Sequence, residues 1–182
     1  MREHQILQAN VTVPEQKEGA LLGLSRLESS YGSNNKGERI NDVWRVGDPL
    51  SFNFYYTNFG RVAADSTKGF AKTYIATDRT KTTEVALAEA FKKEADAHMK
   101  KDPGVVVPPN PNGAYWITGR SDRYITADDV KKFGDGTEFI YVFSTVTYTD
   151  PKGEHYLELC QSMQPPSSAD LWNYCTVFHG HK

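Results

Sequence analysis

The chain has 182 residues, 38% apolar and 24% charged, which is typical of one globular domain and excludes a disordered chain. Its formal net charge is −2 and we find no basic stripe, so we expect no nucleic-acid partner. No run approaches the roughly 18 apolar residues of a membrane span, and residues 1–10 lack the apolar stretch of a signal peptide.

Several segments have the alternation or the β-branched and aromatic content of strands. In residues 50–56, Phe52, Phe54 and Tyr56 fall on one face, as expected for a half-buried strand. Residues 20–27 suit either a strand or a short helix. The other predicted strands in this part of the chain are 6–13, 70–77 and 114–118.

Residues 83–101 are predicted to form the main helix, inserted between strands and capped by Thr82 or Thr83. Leu87, Phe91, Ala95 and Met99 recur every four residues, which predicts a thin apolar stripe packed on one side of a sheet. The proline-rich residues 103–113 are predicted to be a loop. Residues 126–133 are predicted to form a short helix, with Thr126 and Asp129 as its capping box.

The clearest predicted element is a β-hairpin near the end of the chain. Residues 138–148 (EFIYVFSTVTY) are a nearly continuous β-branched and aromatic run, residues 148–153 have turn chemistry, and residues 155–160 form the predicted return strand.

The two cysteines allow three interpretations. Cys160 ends the return strand and Cys175 follows a loop, which favours a disulfide that tethers the tail 160–182 and indicates an oxidising compartment. Two free buried thiols are the second interpretation. The third is a metal site, because Cys160, Cys175, His179 and His181 are a permitted tetrahedral ligand set and His155 lies on the same strand as Cys160.

No catalytic or nucleotide-binding motif is found, so we predict no catalytic residue and no cofactor. Asp128 and Asp129 suit a helix start better than a carboxylate pair, and His98 suits a solvated helix face. Tyr55, Tyr115 and Trp116 are the candidates for a ligand-binding groove, although alternation predicts that most of them pack within the fold.

The order of these segments resembles a group of uncharacterised bacterial proteins that carry N-terminal membrane helices and an extracytoplasmic immunoglobulin-like β-domain. The resemblance rests on residues 6–13, 50–60 with Ala63-Ala64, 140–153 (IYVFSTVTYTDPKG), and 157–160 with the later Cys175. Ser144 stands where that group commonly has glycine. The resemblance implies a fold and a periplasmic or extracellular location, with membrane attachment only through an N-terminal anchor missing from this sequence.

We therefore predict a mostly-β single domain over residues 1–182, an immunoglobulin-like antiparallel β-sandwich with one inserted helix and one short helical turn. A half-open β-barrel with a helix closing one end is the alternative fold. The leading functional hypothesis is a non-enzymatic extracytoplasmic module that binds an unidentified protein or small molecule. The alternative is a metal-binding protein or hydrolase whose site combines Cys160, Cys175, His155, His179 and His181. A structural domain with no ligand is the third possibility.

Overall fold

The structure, a computed structural model, describes residues 19–29, 46–110, 114–164, 172–178 and 180–181. The predicted strand over residues 6–13 lies outside them. The described residues form nine strands and two helices: β1 (Leu22–Ser29), β2 (Pro49–Asn58), β3 (Ala64–Ala76), α1 (Lys81–Met99), β4 (Val105–Val107), β5 (Tyr115–Tyr124), α2 (Ala127–Gly134), β6 (Phe139–Asp150), β7 (Gly153–Met163), β8 (Asn173–Tyr174) and β9 (Gly180–His181).

All nine described strands belong to one mixed sheet. Its main order is β1-β2-β5-β3-β6-β7-β8, with β4 paired to β3 and β9 paired to β7. Strands β3 and β5 pair in parallel, and the other described pairs are antiparallel. The prediction of a mostly-β fold is therefore confirmed.

The strongest sequence patterns correspond to observed strands. Of the strand and the short helix that residues 20–27 allowed, the strand is observed, since β1 begins at Leu22. The predicted hairpin is confirmed as β6 and β7, whose register runs from Ile140 opposite Met163 to Asp150 opposite Gly153. Strand β6 is buried along most of its length, because the sheet packs against other parts of the chain on both sides of it. This explains why its sequence is continuously apolar rather than alternating.

Helix α1 begins and ends about one half-turn earlier than the sequence indicated. Its N-cap is Thr80, so the prediction of Thr82 or Thr83 was wrong. Thr83 lies inside the first turn, where its backbone N–H donates to Thr80 Oγ1 (3.2 Å) and its hydroxyl donates to Asp78 Oδ1 (2.5 Å). The side chain of Asp78 thereby binds the residues that start the helix.

Two neighbouring predictions had different outcomes. The proline-rich segment 103–113 is not a loop throughout, because Val105–Val107 pairs with β3 as the short strand β4. Three consecutive β-branched residues favour that extended pairing. Helix α2 is confirmed with its capping box, in which Thr126 accepts from the Asp129 backbone and the Asp129 side chain accepts from the Thr126 backbone.

The sheet curls so that strands distant in its order meet across its inner face. Tyr56 of β2 and Ser144 of β6 are separated by two intervening strands, yet their hydroxyl groups form a 2.6 Å hydrogen bond. The Ala20 backbone N–H, just before β1, donates to Asp150 Oδ2 at the end of β6 (2.9 Å). The curl encloses the main core, to which β2 contributes Leu50, Phe52, Phe54 and Tyr56, and α2 contributes Phe133.

The immunoglobulin-like sandwich is not confirmed by this arrangement. Such a sandwich needs two facing sheets, whereas the described strands share one sheet that curls over its own core. The Ser144 position is consistent with the curl, because its buried hydroxyl is a partner for Tyr56.

The outer face of the sheet carries a second core. Helix α1 packs Ala88, Phe91 and Ala95 onto it, together with Cys160, Cys175 and Phe178 from β7 and the tail. The predicted stripe on α1 is confirmed in part: Phe91 and Ala95 are buried, whereas Leu87 and Met99 are partly buried at its border. In the part of the chain that the structure describes, no helix has the length and apolar character to cross a membrane.

Candidate functional site

Helix α1 covers only one half of the outer face of the sheet. The covered half consists of β3, β6 and β7, whose outward side chains include Phe70, Tyr141 and Phe143. The outward side chains of β1, β2 and β5 do not belong to this second core. Within the described residues, this second half is not covered by α1, and its side chains are the candidates for contact with a ligand.

The register of three strands brings aromatic and charged side chains into one row on the uncovered half. Tyr55 of β2 lies opposite Arg26 of β1 on one side and opposite Trp116 of β5 on the other. Successive side chains of a strand alternate between faces. The burial of Phe54 and Tyr56 in the inner core therefore places Tyr55 and its cross-strand partners outside.

The row is partly preorganised, with Arg26 and Trp116 exposed and Tyr55 half-buried between them. The Arg26 guanidinium lies over the Tyr55 ring, with Cζ 4.1 Å from the ring centroid, and its Nε is 3.2 Å from Glu28 Oε1. Trp116 is 62% exposed. A third ring belongs to Phe59, which is 57% exposed and lies against the outer side of Gly23. We call Arg26, Tyr55, Phe59 and Trp116 the outer aromatic surface.

A polar pair continues this surface along the same strands. Asn53 lies opposite Thr118, and the Thr118 hydroxyl donates to Asn53 Oδ1 (2.7 Å). The Asn53 amide group keeps two N–H donors, and the Thr118 oxygen keeps its acceptor capacity. The outer aromatic surface is thus bordered by hydrogen-bonding groups that remain partly exposed.

A charged cluster marks the boundary between the two halves. Lys72 Nζ lies 2.9 Å from Glu94 Oε2 of α1 and also binds Asp122 of β5. Burial opposes the charged form of Lys72, but the two carboxylates outweigh it and hold its pKa above the usual range. Tyr74 lies beside them, and its buried hydroxyl has no hydrogen-bond partner among the described residues. Burial, followed by the nearby carboxylates, raises the pKa of Tyr74, so that hydroxyl stays protonated.

The structure brings together two of the three predicted ligand-binding candidates. Tyr55 and Trp116 are adjacent, but Tyr115 faces the inner core, where its hydroxyl would be 2.9 Å from a Cβ at Gly69. Burial raises the pKa of Tyr115 to about 12, as expected for a ring packed inside the fold. Tyr115 therefore has a packing role and does not contribute to the outer aromatic surface.

The two cysteines lie at bonding distance as a disulfide, with Cα atoms 5.5 Å apart. Both are buried, and the Cys175 backbone N–H donates to the Cys160 carbonyl oxygen (3.2 Å). A second contact holds the same segment: Glu84 of α1 accepts from the Thr176 backbone N–H (2.7 Å) and from its hydroxyl (2.6 Å). The disulfide and Glu84 together fix the tail against the covered half.

Of the three histidines in the metal hypothesis, only His155 has a side chain among the described residues. His155 Nε2 lies 2.8 Å from Asp150 Oδ1, and its ring stacks on Tyr148. His179 lies outside the described residues, and only the backbone of His181 is described. Within the described ranges, no group of three or more His, Cys, Asp or Glu side chains is placed to hold a metal ion.

Two carboxylates have structural roles in this arrangement: Asp129 in the first turn of α2, and Glu138 between α2 and β6. Asp129 binds Arg123 through two contacts of 2.6 and 2.8 Å, and the Arg123 guanidinium holds the pKa of this carboxyl below its usual range. Glu138 lies near this pair, and burial raises its pKa. Both side chains are almost fully buried, and both contact cations of the chain itself.

Sequence reasoning missed Arg26, Asn53, Phe59 and Thr118. The alternation in residues 50–56 was sufficient to place Asn53 and Tyr55 on the face opposite Phe52 and Phe54. The identity of the neighbouring strands was not available from that pattern, and it decides which side chains lie beside Tyr55.

Compared with known proteins, the chain matches no protein-family model, no curated protein and no solved structure.

Proposed function

We propose that this chain is a non-enzymatic extracytoplasmic binding module and that the outer aromatic surface is its contact site. The observation that carries the proposal is the 62% exposure of Trp116 in a row with Tyr55 and Arg26. Trp, Tyr and Arg are the residues that most often dominate binding energy at contact sites. The exposed rings of Trp116 and Phe59 on this surface, while more than twenty other apolar side chains are buried, favour a recognition role.

The site is rigid because strands rather than loops carry it. Tyr55 and Trp116 belong to neighbouring strands joined by backbone hydrogen bonds, and the guanidinium of Arg26 restrains the Tyr55 ring. A preorganised surface loses less conformational entropy when a ligand binds. The same residues offer no nucleophile with an adjacent base, which favours binding over catalysis.

The disulfide supports the extracytoplasmic part of the proposal. Disulfides persist in oxidising compartments and are rare where thiols are kept reduced. The bond between Cys160 and Cys175 is buried beneath α1, consistent with a structural link. The immunoglobulin-like relationship, the bacterial origin and the missing membrane anchor remain predictions of the resemblance.

The proposal is tested with ¹⁵N-labelled protein and a soluble extract of bacterial cell envelopes as the probe. We expect the extract to shift or broaden the Trp116 indole N–H signal and the signals of Tyr55, while signals of the buried α1 residue Phe91 stay unchanged. Trp116→Ala removes the response of the Tyr55 signals. Tyr124→Ala is the matched control, because Tyr124 is 65% exposed on the same strand.

Two results would contradict the proposal. If the extract leaves Trp116 and Tyr55 unchanged, or if Trp116→Ala and Tyr124→Ala reduce the response equally, the outer aromatic surface is not the contact site and the proposal is wrong.

A further inference from the structure

We infer that the outer aromatic surface binds a neutral saccharide chain, with Trp116 as the stacking platform. This inference rests on the proposed function and names the ligand class for the same surface. It follows from the ring exposure, the polar border, the charge balance and the dimensions of the uncovered half.

The ring of Trp116 provides the apolar contact. One side of a pyranose ring presents C–H groups, and these pack against the electron-rich face of an aromatic ring. Arg26 already occupies a face of the Tyr55 ring, so Trp116 is the main platform and the Arg26 guanidinium is a donor on the far side of Tyr55. An exposed indole in the same row as a guanidinium suits a ligand that combines apolar faces with hydroxyl groups.

The polar border provides the matching hydrogen bonds. Asn53 retains two N–H donors after accepting from Thr118, and the Thr118 oxygen retains acceptor capacity. Both residues lie two positions along their strands from Tyr55 and Trp116, on the same face. Strand geometry places them about 7 Å from the rings, within the span of adjoining sugar units.

The charges around the surface exclude a polyanion as the favoured ligand. Three cations, Arg26, Lys72 and Arg120, are balanced by three carboxylates, Glu28, Glu94 and Asp122. Five of these six groups are already paired with one another, as Arg26–Glu28 and as the cluster around Lys72. Nucleic acids and sulfated chains are bound through an excess of cationic groups, which this surface lacks.

The dimensions favour a short chain over a protein. Three strands spaced about 4.8 Å apart give a width of about 10 Å, and four residues from Trp116 to Arg120 give about 13 Å of length. The resulting platform is on the order of 100–200 Å², whereas a stable protein interface buries about 800 Å² on each partner. A few consecutive sugar rings fit the platform.

The test uses the disulfide-intact chain and four purified probes: β-1,4-linked hexamers of glucose and of N-acetylglucosamine, dextran sulfate, and single-stranded DNA. We expect at least one neutral hexamer to shift the Trp116 indole N–H signal in a saturable titration. Trp116→Ala removes the platform and should weaken binding by about tenfold or more, measured from the Tyr55 backbone signal because this variant lacks the indole. Trp116→Phe should retain an intermediate affinity, and Tyr124→Ala should bind as the wild type does.

Three results would overturn the inference: neither neutral hexamer binds, an anionic probe binds more tightly than both, or neutral binding survives Trp116→Ala. The titration with the envelope extract tests the proposed function separately. If the envelope extract still perturbs Trp116 while both hexamers fail, the surface is a binding site for another ligand class and only the saccharide assignment falls. If the extract also fails, the proposed function itself is wrong.

Discussion

The two halves of the outer sheet face are built from the same sheet but carry opposite chemistry. On the covered half, Phe143 is fully buried and contacts Phe91 of α1 and Phe178 of the tail, with ring centroids 5.4 and 5.5 Å away. On the uncovered half, Trp116 is 62% exposed, in one row with Tyr55 and Arg26. The comparison indicates that aromatic residues are buried to stabilise the fold on one half, whereas Trp116 remains exposed on the other.

The largest expected effect comes from truncating a ring on the covered half. Phe143→Ala should lower the free energy of unfolding by about 3–5 kcal/mol, because it removes a buried ring and leaves a cavity. Trp116→Ala should change it by no more than about 0.5 kcal/mol, as expected for an exposed side chain. Urea unfolding of both variants measures the difference, and similar losses would contradict the division into two halves.

The disulfide is the next test of the covered half. It closes a loop with a sequence separation of 15, for which the loop-closure model gives a loss of about 3 kcal/mol when the bond is removed. We expect the double variant Cys160→Ala with Cys175→Ala to show this loss in urea unfolding at pH 7. The wild type in a reducing agent is the matched control. If neither form is less stable than the oxidised wild type, the bond does not tether the tail.

Replacing Asp150 tests the contact that joins the start of β1, on the uncovered half, to the β6–β7 hairpin of the covered half. Its nearly inaccessible carboxylate accepts from Ala20 and Lys152 backbone N–H groups and lies 2.8 Å from His155 Nε2. Burial opposes its charge, but the hydrogen bonds from His155, Lys152 and Ala20 outweigh burial and hold the pKa of Asp150 below its usual range. Asp150→Asn should cost about 1–2 kcal/mol at pH 7, since the amide replaces only part of this bonding.

The lowered pKa also fixes the direction of a pH dependence. A group whose pKa is lower in the folded state stabilises the fold above its unfolded pKa, and this contribution disappears as the pH falls through the folded pKa. We therefore expect the stability difference between the wild type and Asp150→Asn to shrink as the pH falls below about 4. Urea unfolding across that range measures it, and a constant difference would contradict the role of the ionised carboxylate.

The smallest expected effect lies at the boundary between the halves. Asp122 is 75% exposed at its side chain and binds Lys72 together with Glu94. Asp122→Ala should lower stability by less than about 1 kcal/mol, because ion pairs of exposed groups contribute little and Glu94 remains as a partner. Thermal unfolding at low and at high salt measures this, and a loss comparable to that of Phe143→Ala would show that the boundary is part of the core.

The sequence alone determined the elements whose signal is local. Alternation placed Phe52, Phe54 and Tyr56 on one face, continuous β-branched and aromatic residues predicted β6, and Thr126 with Asp129 predicted the start of α2. The spacing of Cys160 and Cys175 was sufficient to favour a disulfide. Each of these depends on residues close together in the chain or on a strong pattern within one segment.

Only the tertiary structure decided which elements are neighbours. The parallel contact of β3 with β5, the curl that joins Tyr56 to Ser144, and the adjacency of Arg26, Tyr55 and Trp116 depend on pairings between distant segments. Strand patterns specify which face is apolar, but they leave the partner strand open because many pairings bury the same faces. The candidate surface exists because α1 packs on one half of the outer face and not on the other, which no local pattern specifies.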